Sequence, residues 1–171
     1  MLVIVCSGLA GCGGSSEPPS LIEAAATVST GQGVPEAKGY AAGDVPHKYV
    51  RMTGVGQGGI GPVYGAPAGA YAQSVDELQV VLVVQAERKI HTGIAKAYTA
   101  GVLELVTVEQ DYVIRDAKTA ALLLGPVTFR GKLTSLPDSV MLTDQEISEH
   151  VYYDTPPDAD IAEWMRQVVE P

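Results

Sequence analysis

The sequence predicts an α+β protein that is mainly β, with an antiparallel β-sheet of hairpins in a meander and one C-terminal amphipathic helix. Three observations support this fold class. Residues 78–86 form a continuous Val-rich run, which is typical of a central strand covered on both faces. Residues 116–120 form a short turn-like segment between two β-rich runs, which indicates a hairpin. The chain after Pro157 repeats apolar side chains at helical spacing, which predicts the closing helix.

Composition limits the classes of function. The chain has 171 residues, of which 46% are hydrophobic, so it can bury a core within one domain that carries an appendage. Twenty acidic residues against eleven basic ones give a formal net charge of −9. Binding to nucleic acid requires clustered Lys and Arg, so nucleic acid is not an expected partner. The acidic residues concentrate in the C-terminal quarter, which favours a solvated surface, with a docking face for a basic partner or a cation as the alternative.

The N-terminus carries the most specific motif. The first ten residues are apolar and uncharged, too short to span a bilayer and typical of the apolar region of a signal peptide. The run ends in Leu9, Ala10, Gly11 and Cys12, which resembles the lipobox of bacterial lipoproteins. The resemblance implies signal cleavage between Gly11 and Cys12, acylation of Cys12, and a lipid-anchored protein on the extracytoplasmic side of a membrane. An ordinary buried Cys is the alternative for Cys12.

The lipoprotein resemblance divides the chain into three parts. Residues 1–11 are the predicted signal peptide, residues 12–33 a flexible tether, and residues 34–171 a single β-rich domain with a C-terminal helix. The family's basic N-terminal region is absent, so we expect the true start to lie upstream or the chain to be a fragment. Ser20 and Glu23 have capping-box spacing, but an isolated helix this short is marginal in water, so we expect it to be transient.

Within the domain, residues 47–52 are strand-like and residues 54–69 are rich in Gly. The Gly-rich stretch has the spacing of a dinucleotide fingerprint, but its Pro and Gly residues forbid the helix that the fingerprint requires, so a mobile surface loop is expected. After the central strand, further β-rich runs are predicted at 94–100, at 102–116 with a break near 109–111, and at 121–130. The chain beyond Gly131 is expected to be irregular as far as the helix.

The closing helix is predicted to pack its apolar face on the sheet. Asp160 and Glu163 have the spacing of an acidic capping box. Membrane insertion of this helix is the alternative, but the polar face is acidic, whereas anionic headgroups attract Lys and Arg. The apolar face consists of five residues: Ile161, Trp164, Met165, Val168 and Val169.

A second resemblance covers the domain more loosely. Residues 112–119, then Phe129 and Gly131, Pro137 and the closing helix follow an order similar to that of a group of uncharacterised extracytoplasmic bacterial proteins. In that group a strand ending in Asp-Ala-Lys-Thr-Gly turns into a second strand that closes on Phe-x-Gly. Here Ala120 stands where the group has the turn Gly. The resemblance implies a fold and a location but no reaction.

The sequence contains no recognisable catalytic constellation. His47, His91 and His150 lack the short spacings of metal sites, so surface histidines are expected, with no metal and no cofactor. Trp164 and the adjacent Tyr152 and Tyr153 are the candidates for a contact face, with purely structural roles as the alternative.

Two functional hypotheses remain. The leading one is a non-catalytic binding or assembly module, held at the membrane by its N-terminal lipid and partnered by another envelope protein. The alternative is a small extracytoplasmic hydrolase whose site is assembled from scattered His and carboxylate side chains, so enzymatic activity stays open. Convergence of these histidines with carboxylates in one cleft would favour the hydrolase.

Overall fold

The computed structural model describes residues 18–43, 45–55, 59–99 and 101–171. The fold is α+β and mainly β, as predicted, although the sheet is mixed and the helices number three rather than one in this part of the chain. The elements in chain order are α1 (Leu21–Ser29), β1 (Tyr49–Met52), β2 (Ile60–Gly61), β3 (Val80–Tyr98), β4 (Gly101–Asp116), β5 (Leu122–Arg130), α2 (Asp144–Glu149), β6 (Val151–Asp154) and α3 (Asp158–Val169).

The sheet has the order β2-β1-β3-β4-β5, and β6 pairs with β4. The strands β3, β4 and β5 form the predicted antiparallel meander. The purely antiparallel arrangement is wrong at two places, because β1 runs parallel to β3 and β6 runs parallel to β4. Both exceptions follow long connections, and a parallel pair needs a long crossover whereas a hairpin does not.

The strands β3 and β4 form one long hairpin in place of the shorter runs predicted from the sequence. The expected break at residues 109–111 does not occur, because these polar side chains have partners across the hairpin. Arg88 on β3 contacts the carboxylates of Glu109 and Asp111 on β4, at 3.2 and 2.8 Å. The Arg88 guanidinium, with a second hydrogen bond from Thr128, lowers the pKa of Asp111 to about 2. Cross-strand charge pairs of this kind stabilise a sheet without apolar burial.

The predicted hairpin between β4 and β5 is confirmed. One Asp116 oxygen accepts hydrogen bonds from the Thr119 amide at 2.6 Å and the Thr119 hydroxyl at 2.7 Å. The other oxygen accepts from the Tyr40 amide at 2.5 Å and so ties the turn to the preceding loop. Ala120 has a φ of 58°, which lies in the left-handed region that favours glycine. The uncharacterised extracytoplasmic proteins that the domain resembles have glycine at this position of the turn. The turn therefore keeps its shape with Ala in the strained position.

Apolar side chains form one layer on each face of the sheet. Along β3 the side chains alternate, so Val81 and Val83 lie on the face covered by α1, and Leu82 and Val84 lie on the face covered by α3. The strand is thus buried on both faces where it passes between the two helices, as predicted for a central strand. Beyond Val84 most of β3 is exposed.

The flexible tether predicted for residues 12–33 is wrong where α1 forms. Ala24, Ala25 and Val28 are fully buried against the sheet. Ser20 and Glu23 form the complete capping box that their spacing indicated. The helix is stable because its amphipathic face packs on the sheet, a contribution that an isolated helix in water lacks. The predicted signal peptide and Cys12 lie outside the described residues.

The closing helix is confirmed, but its start is not at the predicted capping box. Pro157 is the N-cap and makes no side-chain cap, and the helix begins at Asp158. The Asp158 carboxylate instead binds Arg51 of β1. The segment before α3 is also less irregular than predicted, because it contains α2 and β6. In the part of the chain that the structure describes, no helix is long and apolar enough to cross a membrane.

Candidate functional site

The three aromatic residues predicted to form a contact face have separate surroundings. Trp164 of α3 is half-buried and makes an edge contact with the ring of Phe129, with centroids 5.7 Å apart. Tyr153 of β6 has its hydroxyl beside Glu149, and the Lys89 ammonium lies 4.1 Å over its ring. Tyr152 is the neighbouring residue of the same extended strand, so it points to the opposite face. No single face unites the three residues.

Trp164 is therefore expected to act mainly as a packing residue. Truncating a fully buried Trp to Ala costs about 3 to 5 kcal/mol, so Trp164→Ala, which removes a half-buried ring, should lower the free energy of unfolding by about 2 kcal/mol. Urea unfolding of the full chain measures this change. Gln167→Ala, on the exposed side of the same helix, is the matched control and should change stability by less than about 0.5 kcal/mol. A loss below about 1 kcal/mol for Trp164→Ala would instead favour a docking role.

The three histidines also lie in different environments. The expectation of surface histidines is wrong for His47, which is fully buried, with its Nδ1 atom 3.2 Å from the amide nitrogen of Gln79. His91 is exposed on the hairpin and pairs with Glu104 at 3.2 Å, and His150 is the left-handed C-cap of α2. Among the described residues no three or more His, Cys, Asp or Glu side chains are grouped so that they could hold a metal ion.

A small polar cavity lies where β1 ends and α3 begins. The parallel pairing of β1 with β3 stops at Leu82, and the β3–β4 register shifts after Val84, so the sheet opens at this point. The start of α3 covers the gap and leaves a volume of about 170 Å³. The lining residues are Arg51, Met52, Thr53, Val84, Gln110, Tyr112, Thr155, Pro156 and Asp158.

Arg51 is the principal charged group of the cavity. Its side chain is 18% exposed, and its Nη1 atom lies 2.6 Å from one carboxylate oxygen of Asp158. The other oxygen of Asp158 accepts a hydrogen bond from the Tyr64 amide at 3.0 Å. Among the residues that the structure describes, the buried Nε atom of Arg51 has no hydrogen-bond partner. A guanidinium has five N–H donors, so most of the donors of this largely buried group are unused by the described residues.

Tyr112 supplies the second polar element. Burial raises the pKa of its phenol to about 12, so the group stays neutral at physiological pH. Its hydroxyl donates to the Gln110 side-chain oxygen at 2.5 Å, and the Gln110 amide nitrogen donates to Glu87 at 2.8 Å. A chain of hydrogen bonds thus leads from the cavity to the exposed hairpin. The cavity therefore combines a charged guanidinium, a neutral phenol and an amide side chain.

Sequence reasoning missed this cavity. Arg51 was one residue of the strand-like run at 47–52, and Asp158 lay at the start of the predicted closing helix, where it was not a candidate site residue. The two residues are 107 positions apart, so no local motif links them. Comparison of the chain with protein-family models, curated proteins and solved structures finds no significant match.

Proposed function

We propose that the protein is a lipid-anchored cell-envelope protein whose folded domain is a non-catalytic binding or assembly module. The observation that carries the anchor is the lipobox-like sequence of Leu9, Ala10, Gly11 and Cys12 after an uncharged apolar run. The Gly- and Ser-rich composition directly after Cys12 also supports it, since such sequences link anchors to domains. Export directed by the proposed signal peptide would put the lipid-anchored domain on the extracytoplasmic side of its membrane.

Binding is favoured over hydrolysis by the chemistry of the cavity. The raised pKa of Tyr112 makes its phenol a poor base at neutral pH. Asp158, the carboxylate of the cavity, is already bound by the Arg51 guanidinium and the Tyr64 amide. The exposed pair of His91 and Glu104 lies on the hairpin and is not among the cavity residues. A cavity with unused donors and no activated nucleophile favours recognition of a ligand.

Acylation is tested by labelling producing cells with a clickable fatty acid. The wild-type chain should be tagged and recovered with membranes, whereas Cys12→Ser should lose the tag and leave the membrane fraction. Two or three acyl chains exceed the single-chain limit for reversible attachment, so anchoring should be stable. Cys6→Ser is the matched control, because Cys6 is the other cysteine of the chain and lies before the expected cleavage point. Cys6→Ser should be tagged like the wild type.

Three results would contradict the proposed lipid anchor at Cys12. Equal tagging of the wild type and Cys12→Ser would place the lipid elsewhere, and absence of tag from both would remove the lipid altogether. Retention of untagged Cys12→Ser in the membrane fraction would show that a feature other than the lipid holds the chain there.

A further inference from the structure

We propose that the cavity beside Arg51 binds a small monocarboxylate ligand. The proposal rests on the binding function given above and names the class of ligand for it. The carboxylate head would be held by the Arg51 guanidinium, and its short apolar tail would contact Val84 and Pro156 of the lining.

The unused donors of Arg51 carry the argument. In the described structure the guanidinium donates one hydrogen bond, from Nη1 to Asp158 at 2.6 Å, although the side chain is only 18% exposed. Among the described residues the buried Nε atom has no hydrogen-bond partner, and a buried donor without a partner is costly and normally satisfied in proteins. Arg recognises planar carboxylates through two parallel N–H donors, a geometry that the Nη2 side still offers. A carboxylate entering the cavity would satisfy donors that the fold leaves open.

The size of the cavity restricts the ligand. A volume of about 170 Å³ is far below the range of about 300 to 1,000 Å³ that is usual for drug-sized ligands. The site therefore suits a molecule of a few non-hydrogen atoms. Acetate and propionate have this size.

The charges around the cavity select a monoanion. Asp158 already neutralises part of the Arg51 charge, and Glu87 is connected to the lining through Gln110. A dianion such as phosphate would be repelled by these carboxylates more strongly than a monocarboxylate. The hydroxyls of Thr53 and Thr155 add neutral polar groups to the lining, and Met52, Val84 and Pro156 supply its apolar part. The mixture fits a charged head with a short aliphatic tail.

The proposal is tested by titrating the purified full chain with sodium propionate and sodium acetate while following backbone amide resonances by NMR. Both carboxylates should give saturable shifts at millimolar concentrations, centred on Arg51, Thr53 and Thr155. Propionamide has the same shape without the charge and should give no saturable shift. Sodium phosphate should bind more weakly than propionate, because of its second negative charge.

Substitutions at Arg51 and Asp158 test whether propionate binds in the cavity. Asp158→Asn keeps an acceptor for the Tyr64 amide and removes the competing charge, so propionate should bind about fivefold more tightly, the upper range for one ion pair of this exposure. The double variant Arg51→Met/Asp158→Asn removes the guanidinium without leaving a buried unpaired carboxylate, so the fold should persist while propionate binding is lost. Arg88→Met removes an arginine from the exposed hairpin and should leave propionate binding unchanged.

Each of the following outcomes would contradict one part of the proposal. If propionamide binds as tightly as propionate, or if Arg51→Met/Asp158→Asn binds propionate like the wild type, the carboxylate is not held by Arg51. If phosphate binds more tightly than propionate, the ligand class is not a monocarboxylate. These titrations do not depend on acylation, so failure of the Cys12→Ser experiment leaves them interpretable. Successful acylation without propionate binding would retain the anchor and reject this ligand.

Discussion

Substituting Ala25→Asp should bring the domain close to unfolding at neutral pH, because Ala25 is fully buried where α1 packs on the sheet. A buried carboxyl group without a partner is forced into its neutral form. Protonating a group with a pKa of about 3.9 at pH 7 costs about 4 kcal/mol, before any steric cost is added. Typical domains have only about 5 to 15 kcal/mol of stability.

Urea unfolding at two pH values measures this effect. The buried Asp has a folded pKa above its unfolded value, so the loss of stability grows as the pH rises above about 4 and is smaller near pH 4. Ile22→Asp is the matched control, since Ile22 is 44% exposed in the first turn of the same helix, where an acidic residue is favourable. Equal stability of the two variants would contradict the packing of α1 and would favour the flexible tether predicted from the sequence.

Gly131→Ala should be the second strongly destabilising change. Gly131 follows β5, and its amide donates to the Val108 carbonyl at 3.0 Å. An added Cβ would overlap the carbonyl oxygen and the carboxylate of Asp154, the last residue of β6. Displacing Asp154 would also weaken its 2.7 Å hydrogen bond from the Leu133 amide. Because the obstacle includes backbone, we expect a loss of about 3 kcal/mol or more.

The control for Gly131→Ala is Gly61→Ala in the short strand β2. The nearest atom to a Cβ at Gly61 is Thr53 Cγ2 at 3.4 Å, the end of a side chain at the protein surface. Gly61→Ala should change the urea unfolding free energy by no more than about 0.5 kcal/mol. A wild-type midpoint for Gly131→Ala would mean that Gly131 and Asp154 are not as close together as described.

Local patterns predicted the parts of the fold that local interactions determine. The turn at Asp116, the central strand at Leu82 and the apolar face of α3 each depend on neighbours in sequence or on a regular period, and each is confirmed. The position of α1 depends on distant contacts. Its three buried residues, Ala24, Ala25 and Val28, reveal their role only against the sheet, so a short apolar helix resembled part of a linker.

The cavity could not be predicted for a related reason. Arg51 and Asp158 meet because α3 packs on one face of the sheet that contains β1, and neither residue has an unusual local sequence. Tyr112 was noted only as part of a strand pattern, although its partner Gln110 lies two positions away on the same face. Polar residues that only the fold brings together have no characteristic spacing in the sequence, so no sequence motif identifies them.

The packing of α1 also limits how far the anchored domain can stand from its bilayer. Ser20, the N-cap of α1, lies eight residues after Cys12, a distance of at most about 28 Å even for a fully extended chain. Helix α1 and the Arg51 cavity are on opposite faces of the sheet. In the proposed lipoprotein the membrane attachment would therefore join the domain on the α1 side of the sheet, and the Arg51 cavity would lie on the other side.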